Sequence, residues 1–253
     1  MQLPSRFRTN LDKFGVQKIY QDAVHPRVAY QGDQGWTERY SAHGFSKIPG
    51  VTIWRKTFQF DISGFLNQEV TIYLNVSKLN SEYYKHRPLI GPCTSGSGLS
   101  IKLRGGRHSD RGKDSARCYV FHFEYEGNNN CKNFQKEAPH PVYAKHTIPT
   151  NFDAQNWVGL NRWVGFKTVT INENDGVICE AYIDYGGIID GLPANCWQKW
   201  YSVFDTGQFG DSRKPETLSP FRIANGKVTQ FRLDNADRDT KSRFASQREV
   251  RKT

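Results

Sequence analysis

Apolar and polar residues alternate with a period of two along most of this chain, and helical periodicity is hard to find. Such alternation is typical of strands with one buried face. The pattern predicts strands at 51–60, 69–77, 99–104, 118–125, 162–172, 177–185, 197–204 and 228–233. Asn174-Asp175-Gly176 joins two of these runs directly and predicts a hairpin. We therefore expect an all-β protein, either a β-sandwich or a β-barrel.

The length of 253 residues fits one domain. We expect a single β-sandwich domain over 1–253, with 1–45 as an N-terminal extension and 238–253 as a basic C-terminal strand or tail. Long loops, where binding surfaces usually lie, are predicted between the strands. They cover 79–97, 126–158 and 205–226.

The C-terminal half contains a succession of strand-like motifs. They are Arg162-Trp163-Val164-Gly165-Phe166-Lys167, Glu180-Ala181-Tyr182-Ile183-Asp184, Trp197-Gln198-Lys199-Trp200-Tyr201, Phe231-Arg232-Leu233-Asp234-Asn235 and 244–250. Over residues 45–250 the chain resembles the concanavalin A-like jelly-roll superfamily, which includes legume lectins, laminin-G-like domains, glycanases and polysaccharide lyases. The resemblance implies an all-β, two-sheet antiparallel β-sandwich of the jelly-roll type that binds or cleaves a glycan.

The charge of the chain favours anionic partners. Lys and Arg total 35 against 25 Asp and Glu, which gives a net charge of +10. A field of this sign attracts nucleic acid, acidic polysaccharide or an anionic surface. No apolar run approaches the ~20 residues of a membrane span, so none is expected. The first 25 residues are charged, unlike a signal peptide. We expect a processed extracellular or periplasmic chain, with the cytoplasm as the alternative.

The cysteines and aspartates suggest little metal chemistry. The chain has five Cys and no CxxC pair, which argues against structural zinc. Cys118 and Cys131 flank a predicted hairpin, where a disulfide is sterically reasonable in an oxidising compartment. No DxDxDG-type loop occurs, although several Asp residues sit near loops. We therefore expect no required cofactor and leave structural calcium and the oligomeric state open.

Strand alternation also separates candidate site residues from the core. The apolar faces of 99–104, 118–125 and 177–185 should build the core, and their opposite faces should line one open cationic trough. Those polar faces hold Lys102, Arg104, His122, Glu124, Glu180 and Tyr182. The turn that follows the first of these strands adds Arg107 and His108.

Cations, His and Tyr on one sheet face are the groups needed for β-elimination on a uronic-acid polymer. We assign Arg104 and Arg107 to the uronate carboxylate. His108 or His122 is the candidate base. Tyr182 is the candidate acid. The resemblance to alginate-lyase-like enzymes implies a comparable place for Lys167. The remaining expected substrate contacts are Lys102, Glu124, Glu180 and Trp200.

Other functions remain open at this point. Tryptophans in or near loops, such as Trp200, are also typical of a non-catalytic, lectin-like carbohydrate-binding surface. Because Trp197 and Trp200 are three positions apart in one strand, only one should be exposed, while Trp54 and Trp163 are assigned to the core. A structural surface or virion protein would use the same jelly roll. The basic loop 102–117 lacks interleaved aromatics, which argues against nucleic acid.

Overall fold

In the computed structural model, the described part of the chain consists of strands and their connections, with no helix. The described residues are 10–32, 37–45, 52–60, 65–78, 98–105, 118–124, 133–138, 142–147, 158–207, 228–234 and 238–252. Their strands are β1 (Gln21–Asp22), β2 (Val28–Gly32), β3 (Thr37–Phe45), β4 (Thr52–Phe60), β5 (Gln68–Asn75), β6 (Gly98–Gly105), β7 (Cys118–Glu124), β8 (Asn133–Ala138), β9 (Val142–Thr147), β10 (Trp163–Asn172), β11 (Val177–Asp184), β12 (Ile188–Ile189), β13 (Leu192–Pro193), β14 (Trp197–Asp205), β15 (Val228–Asp234) and β16 (Lys241–Arg251). Within these ranges, no helix is long and apolar enough to cross a membrane.

The strands form two seven-stranded sheets. The first sheet has the order β1-β16-β5-β10-β11-β14, with β2 also paired to β16. The second sheet has the order β3-β4-β15-β6-β7-β8-β9. A short hairpin of β12 and β13 stands apart from both. The described pairings are antiparallel, so the expected all-β, two-sheet sandwich is confirmed.

The two sheets pack through their apolar faces. Tyr119, Phe121 and Phe123 of β7 lie in the same buried cluster as Cys179 and Ala181 of β11. Phe123 meets Phe166 of β10 edge to face, with ring centroids 5.1 Å apart. The alternation predicted for these strands is therefore correct, since their apolar sides build the core.

The sequence pattern identified β4, β5, β6, β7, β10, β11, β14 and β15, and the predicted hairpin joins β10 to β11. It missed several others. β1 to β3 lie within the expected N-terminal extension, and β8 and β9 occupy part of the predicted loop 126–158. β16 falls where a C-terminal strand or tail was expected, over 238–253. The predicted loop 79–97 and residues 208–226 lie outside the described residues.

Residues 10–22, here called the strap, run over the outer face of the first sheet. Val16 is buried in a cluster with Tyr73 of β5 and Phe244 of β16. The backbone N–H groups of Ile19 and Tyr20 donate to the Glu69 carboxylate of β5. The strap therefore covers the outer face of the first sheet around Tyr73 and Glu69.

Candidate functional site

A row of polar side chains crosses the outer face of the second sheet. Thr57, Arg232, Ser100 and His122 lie opposite one another on β4, β15, β6 and β7. Residues that are directly opposite in antiparallel strands point to the same side of the sheet. Neighbouring strands are ~4.8 Å apart, so this polar row spans about 14 Å.

A second row runs beside the first. Gln230 of β15 lies opposite Lys102 of β6, and Gln135 of β8 continues the row beyond Val120. Gln230 and Gln135 are half-buried, as are Thr57, Arg232 and His122 of the polar row. Half-buried polar groups are held in place by their neighbours and still reach solvent. The two rows therefore form a polar surface of the kind that binds hydroxyl-rich ligands.

Hydrogen bonds anchor two members of this surface. Ser100 Oγ lies 3.1 Å from His122 Nδ1. Lys102 Nζ donates to Glu137 Oε2 at 2.5 Å, and both side chains are almost fully buried. Lys102 is therefore held in a buried ion pair within the second row.

Cys118 also binds Glu137 in this region. Its thiol donates to Glu137 Oε2 at 3.4 Å. Burial raises the pKa of the Cys118 thiol to about 12. Cys118 is a free cysteine in this structure, and Cys131, its candidate disulfide partner, lies outside the described residues. A buried thiol with so high a pKa is a structural group with little reactivity.

Arg104 does not reach the outer surface. Its backbone has a φ of 57°, and the pairing register between β6 and β15 shifts next to it. This bulge interrupts the alternation, and the side chain turns inward toward β10. The guanidinium donates to Thr170 Oγ1 at 3.2 Å, to Asn172 Oδ1 at 2.9 Å and to the Leu66 carbonyl. The prediction that Arg104 faces an open trough is therefore wrong.

Lys167 lies on the outer face of the first sheet, beneath the strap. Its Nζ donates to Glu69 Oε1 at 2.7 Å and to the Gln17 carbonyl of the strap. Burial lowers the pKa of Lys167, although Glu69 opposes the shift. The side chain is fully enclosed, so the predicted substrate contact has no open surface at this residue.

Glu180 and Tyr182 form a hydrogen-bonded cluster on that same outer face. Glu180 accepts from Tyr182 Oη at 2.5 Å, from Tyr20 Oη at 2.9 Å and from Lys199 Nζ at 2.6 Å. Burial, and then the hydrogen bond to Glu180, raise the pKa of Tyr182 far above its ordinary value of 10.0. A phenol held so firmly in its protonated form is poorly suited to catalyse proton transfer.

Trp200 packs toward the core. A register shift between β11 and β14 places it against Phe123, with ring centroids 5.1 Å apart and planes at 80°. Trp197 instead packs against Tyr73 on the outer face of the first sheet. The expectation that Trp197 and Trp200 occupy different faces is confirmed, but neither ring is fully exposed.

The predicted site residues therefore separate into three places. Lys102 and His122 share the outer face of the second sheet, whereas Lys167, Glu180 and Tyr182 share that of the first. Arg104 and Trp200 lie between the sheets. The prediction of one common trough is wrong for these residues, because their strands belong to different sheets or contain bulges. Arg107, His108 and the side chain of Glu124 lie outside the described residues, and their roles stay predictions.

The described residues contain no group of three His, Cys, Asp or Glu side chains able to hold a metal ion. Structural calcium stays a prediction. Sequence reasoning missed Thr57, Arg232 and Gln230 as candidate site residues. Alternation within 228–233 separates Gln230 and Arg232 from Phe231 and Leu233, but pairing of β15 with β4 and β6 joins segments far apart in sequence.

A stacked aromatic pair lies on the opposite side of β4 from the polar row. The rings of Tyr40 and Trp54 are parallel within 6°, and their centroids are 5.0 Å apart. Trp54 is 36% exposed, so its expected place in the core is wrong. The Arg238 guanidinium lies over the Tyr40 ring, 5.6 Å from its centroid.

No protein-family model matches this sequence, and a search of curated proteins found no match. Similar solved structures include a protein with a galectin-like fold from Bacillus subtilis, with a TM-score of 0.42 and 12% identity over 92% of this chain and 100% of that one. The carbohydrate recognition domain of Emp47p has a TM-score of 0.39 and 9% identity, over 91% of this chain and 94% of that one. Peanut lectin with a 9mer peptide has a TM-score of 0.34 and 10% identity, over 89% of this chain and 93% of that one. The likeness concerns the fold alone.

Proposed function

We propose that this protein binds an acidic polysaccharide along the outer face of the second sheet and does not cleave it. The observation that carries the proposal is the polar row of Thr57, Arg232, Ser100 and His122. Thr57, Arg232 and His122 are half-buried and offer hydrogen-bond donors and acceptors along about 14 Å, whereas Ser100 is buried between them. An extended chain of sugars presents hydroxyl groups along its whole length, so it matches a row better than a compact ligand would.

The charge of the ligand is inferred from Arg232. A guanidinium forms paired hydrogen bonds to a planar carboxylate, such as that of a uronic acid. Arg232 is half-buried at the centre of the row, between Thr57 and Ser100. The net charge of +10 would add long-range attraction for a polyanion.

Binding fits the described residues better than cleavage. β-Elimination needs a base and an acid at the same glycosidic bond. His122 and Tyr182, the described residues assigned to those roles, lie on the outer faces of different sheets. Tyr182 also donates a hydrogen bond to Glu180, and burial together with this bond raises the pKa of its phenol. These contacts favour the non-catalytic, lectin-like alternative.

The test compares two variants that each remove one positive charge. Arg232→Gln changes the polar row, and Lys199→Gln changes the outer face of the first sheet. Binding of polyglucuronate and of the neutral polymer pullulan would be measured by calorimetry at ~0.15 M salt. Arg232→Gln should weaken polyglucuronate binding by about 10- to 100-fold, as expected for a lost charge-assisted hydrogen bond. Lys199→Gln should bind like the unaltered protein.

Equal losses in both variants would mean that net charge alone attracts the polymer, which contradicts a site at the polar row. An unchanged affinity in Arg232→Gln would contradict it as well. Ultraviolet absorbance from a new C=C bond would be followed in the same mixtures. A rise with time would show elimination and overturn the non-catalytic proposal.

A further inference from the structure

The Tyr40–Trp54 pair has the features of a binding surface. The two rings are stacked and parallel within 6°, so Tyr40 covers one face of Trp54 and holds its ring in a fixed orientation. Trp54 is 36% exposed, although Phe58, four residues along the same side of β4, is fully buried. Burying a Trp ring is strongly favourable, so its exposure at this position is unexplained by packing.

A cation is fixed beside the pair. Lys56 is buried on the same side of β4, and its Nζ donates to the Arg238 carbonyl at 2.9 Å and to the Thr240 carbonyl. These bonds hold the turn that precedes β16 against β4. They place the exposed Arg238 guanidinium over the Tyr40 ring. The turn also carries the exposed Asp239, which limits the local excess of positive charge.

Such a surface suits a sugar ring. The apolar C–H face of a pyranose stacks on a flat aromatic ring, and neighbouring polar groups bind its hydroxyls or carboxylate. The partly exposed Trp54 ring supplies the flat surface, and Arg238 supplies the donors. An anionic sugar would fit best, because the exposed Arg238 guanidinium lies over the Tyr40 ring on which Trp54 is stacked.

We infer that Tyr40, Trp54 and Arg238 form a second carbohydrate site, separate from the polar row, that takes one sugar residue of an acidic glycan. The two sites lie on opposite sides of β4, since Thr57 faces outward and Trp54 lies on the same side as the core residue Phe58. One chain therefore binds two polysaccharide strands and cross-links them. Cross-linking raises the avidity for a polymer far above the affinity for a short oligosaccharide.

The test counts sites with a short acidic oligosaccharide, glucuronate tetramer, by calorimetry. The unaltered protein should bind two molecules per chain. Trp54→Ala should bind one molecule. Arg232→Gln should bind its second molecule about 10- to 100-fold more weakly, and the double variant should keep only that weakened site. Phe204→Ala, which removes a 44% exposed aromatic ring on β14, is the matched control and should still bind two. Turbidity of polyglucuronate mixed with protein reports cross-linking, which should be lost in Trp54→Ala and retained in Phe204→Ala.

A further variant, Arg238→Gln, tests the site without altering the aromatic rings. It should weaken binding of the tetramer at this site on the order of tenfold and leave binding of a neutral tetramer unchanged. Circular dichroism would confirm that each variant is folded.

The results separate the two proposals. If Trp54→Ala still bound two tetramers per chain, or gave the same turbidity as Phe204→Ala, the second site would be refuted. The proposal for the polar row would be unaffected by that result. Loss of all sugar binding in Trp54→Ala, with none lost in Arg232→Gln, would keep the aromatic site and refute the polar row. If Trp54→Ala reduced binding of single-stranded DNA but not of sugar, the stacking partner would be a nucleobase, and the carbohydrate inference would be wrong.

Discussion

Lys136 of β8 and Asp205 of β14 form an ion pair across the interior of the sandwich. Lys136 Nζ lies 2.9 Å from Asp205 Oδ1, and neither side chain is exposed. Asp205 also accepts from Tyr119 Oη at 2.7 Å and from the Gly207 N–H at 2.9 Å. The pair joins the two sheets at a fully buried point. Each charge there is stabilised by the other, because no water solvates it.

Removing one partner of this pair should destabilise the protein severely. Lys136→Met leaves the Asp205 carboxylate buried without its counter-charge, and we expect a loss of about 3–5 kcal/mol in the free energy of unfolding. The double variant Lys136→Met/Asp205→Leu removes both charges and should recover much of that loss. Urea unfolding monitored by fluorescence measures both values. A double variant less stable than Lys136→Met would contradict the expected dependence between the charges.

Arg104 combines a buried guanidinium with a left-handed backbone. Arg104→Ala and Arg104→Gly both remove its hydrogen bonds to Thr170 and Asn172. Only alanine keeps the steric cost of a φ of 57°, which is ~1 kcal/mol. The glycine variant should therefore be the more stable of the two by about that amount, as measured by chemical denaturation. Equal stabilities would mean that the backbone at this bulge stores no strain.

Arg104 also marks the limit of what the sequence could predict. Alternation correctly assigned Ile101 and Leu103 to the core and Lys102 to the outer face, because those assignments need only a regular strand. A bulge inverts the face of the residue at which it occurs. Nothing in the local pattern distinguishes Arg104 from an outward-facing residue, so its inward contacts became visible only in three dimensions.

The candidate site was partly predictable for a similar reason. His122 was placed on the polar side of its strand from alternation alone. Arg232 lies two places from His122 in the polar row, with Ser100 between them. It belongs to β15, more than a hundred residues later in the chain, and only the strand order of the second sheet brings it to this row. Lys167 and Tyr182 have the predicted polar orientation, but the strap covers their sheet. Strand patterns contain no information about which face a distant segment will cover.

Glu69 fixes the strap and makes its attachment sensitive to acid. Its carboxylate binds Lys167 Nζ at 2.7 Å and Arg248 Nη2 at 2.6 Å. Burial alone would raise the pKa of Glu69, but these two cations outweigh it and hold the pKa below its ordinary value of 4.5. A carboxyl whose pKa is lowered by folding stabilises the protein above pH 4.5. That contribution is lost as the pH falls through the folded-state pKa.

Glu69→Gln should therefore lower stability at neutral pH and flatten the decline of stability below pH 4.5. The measurement is the free energy of unfolding as a function of pH. Glu249→Gln is the control, since Glu249 forms a more exposed pair with Arg27, and such pairs contribute about 0–1 kcal/mol. If the two variants gave the same pH profile, the acid sensitivity would not originate at the strap.

Gly187 and Gly191 test how tightly the β12–β13 hairpin is joined to the first sheet. Both have positive φ values, 65° and 81°, which disfavour any residue with a Cβ. A Cβ at Gly187 would lie 2.1 Å from the Trp163 carbonyl oxygen, a backbone atom that cannot rotate away, whereas a Cβ at Gly191 meets nothing within 4 Å. Gly191→Ala should cost only the backbone strain of ~1–2 kcal/mol. Gly187→Ala should lower the free energy of unfolding by more than Gly191→Ala does, because the hairpin must move away from β10. Thermal unfolding should therefore have the lower midpoint in Gly187→Ala. Equal midpoints would mean that the hairpin shifts freely relative to Trp163.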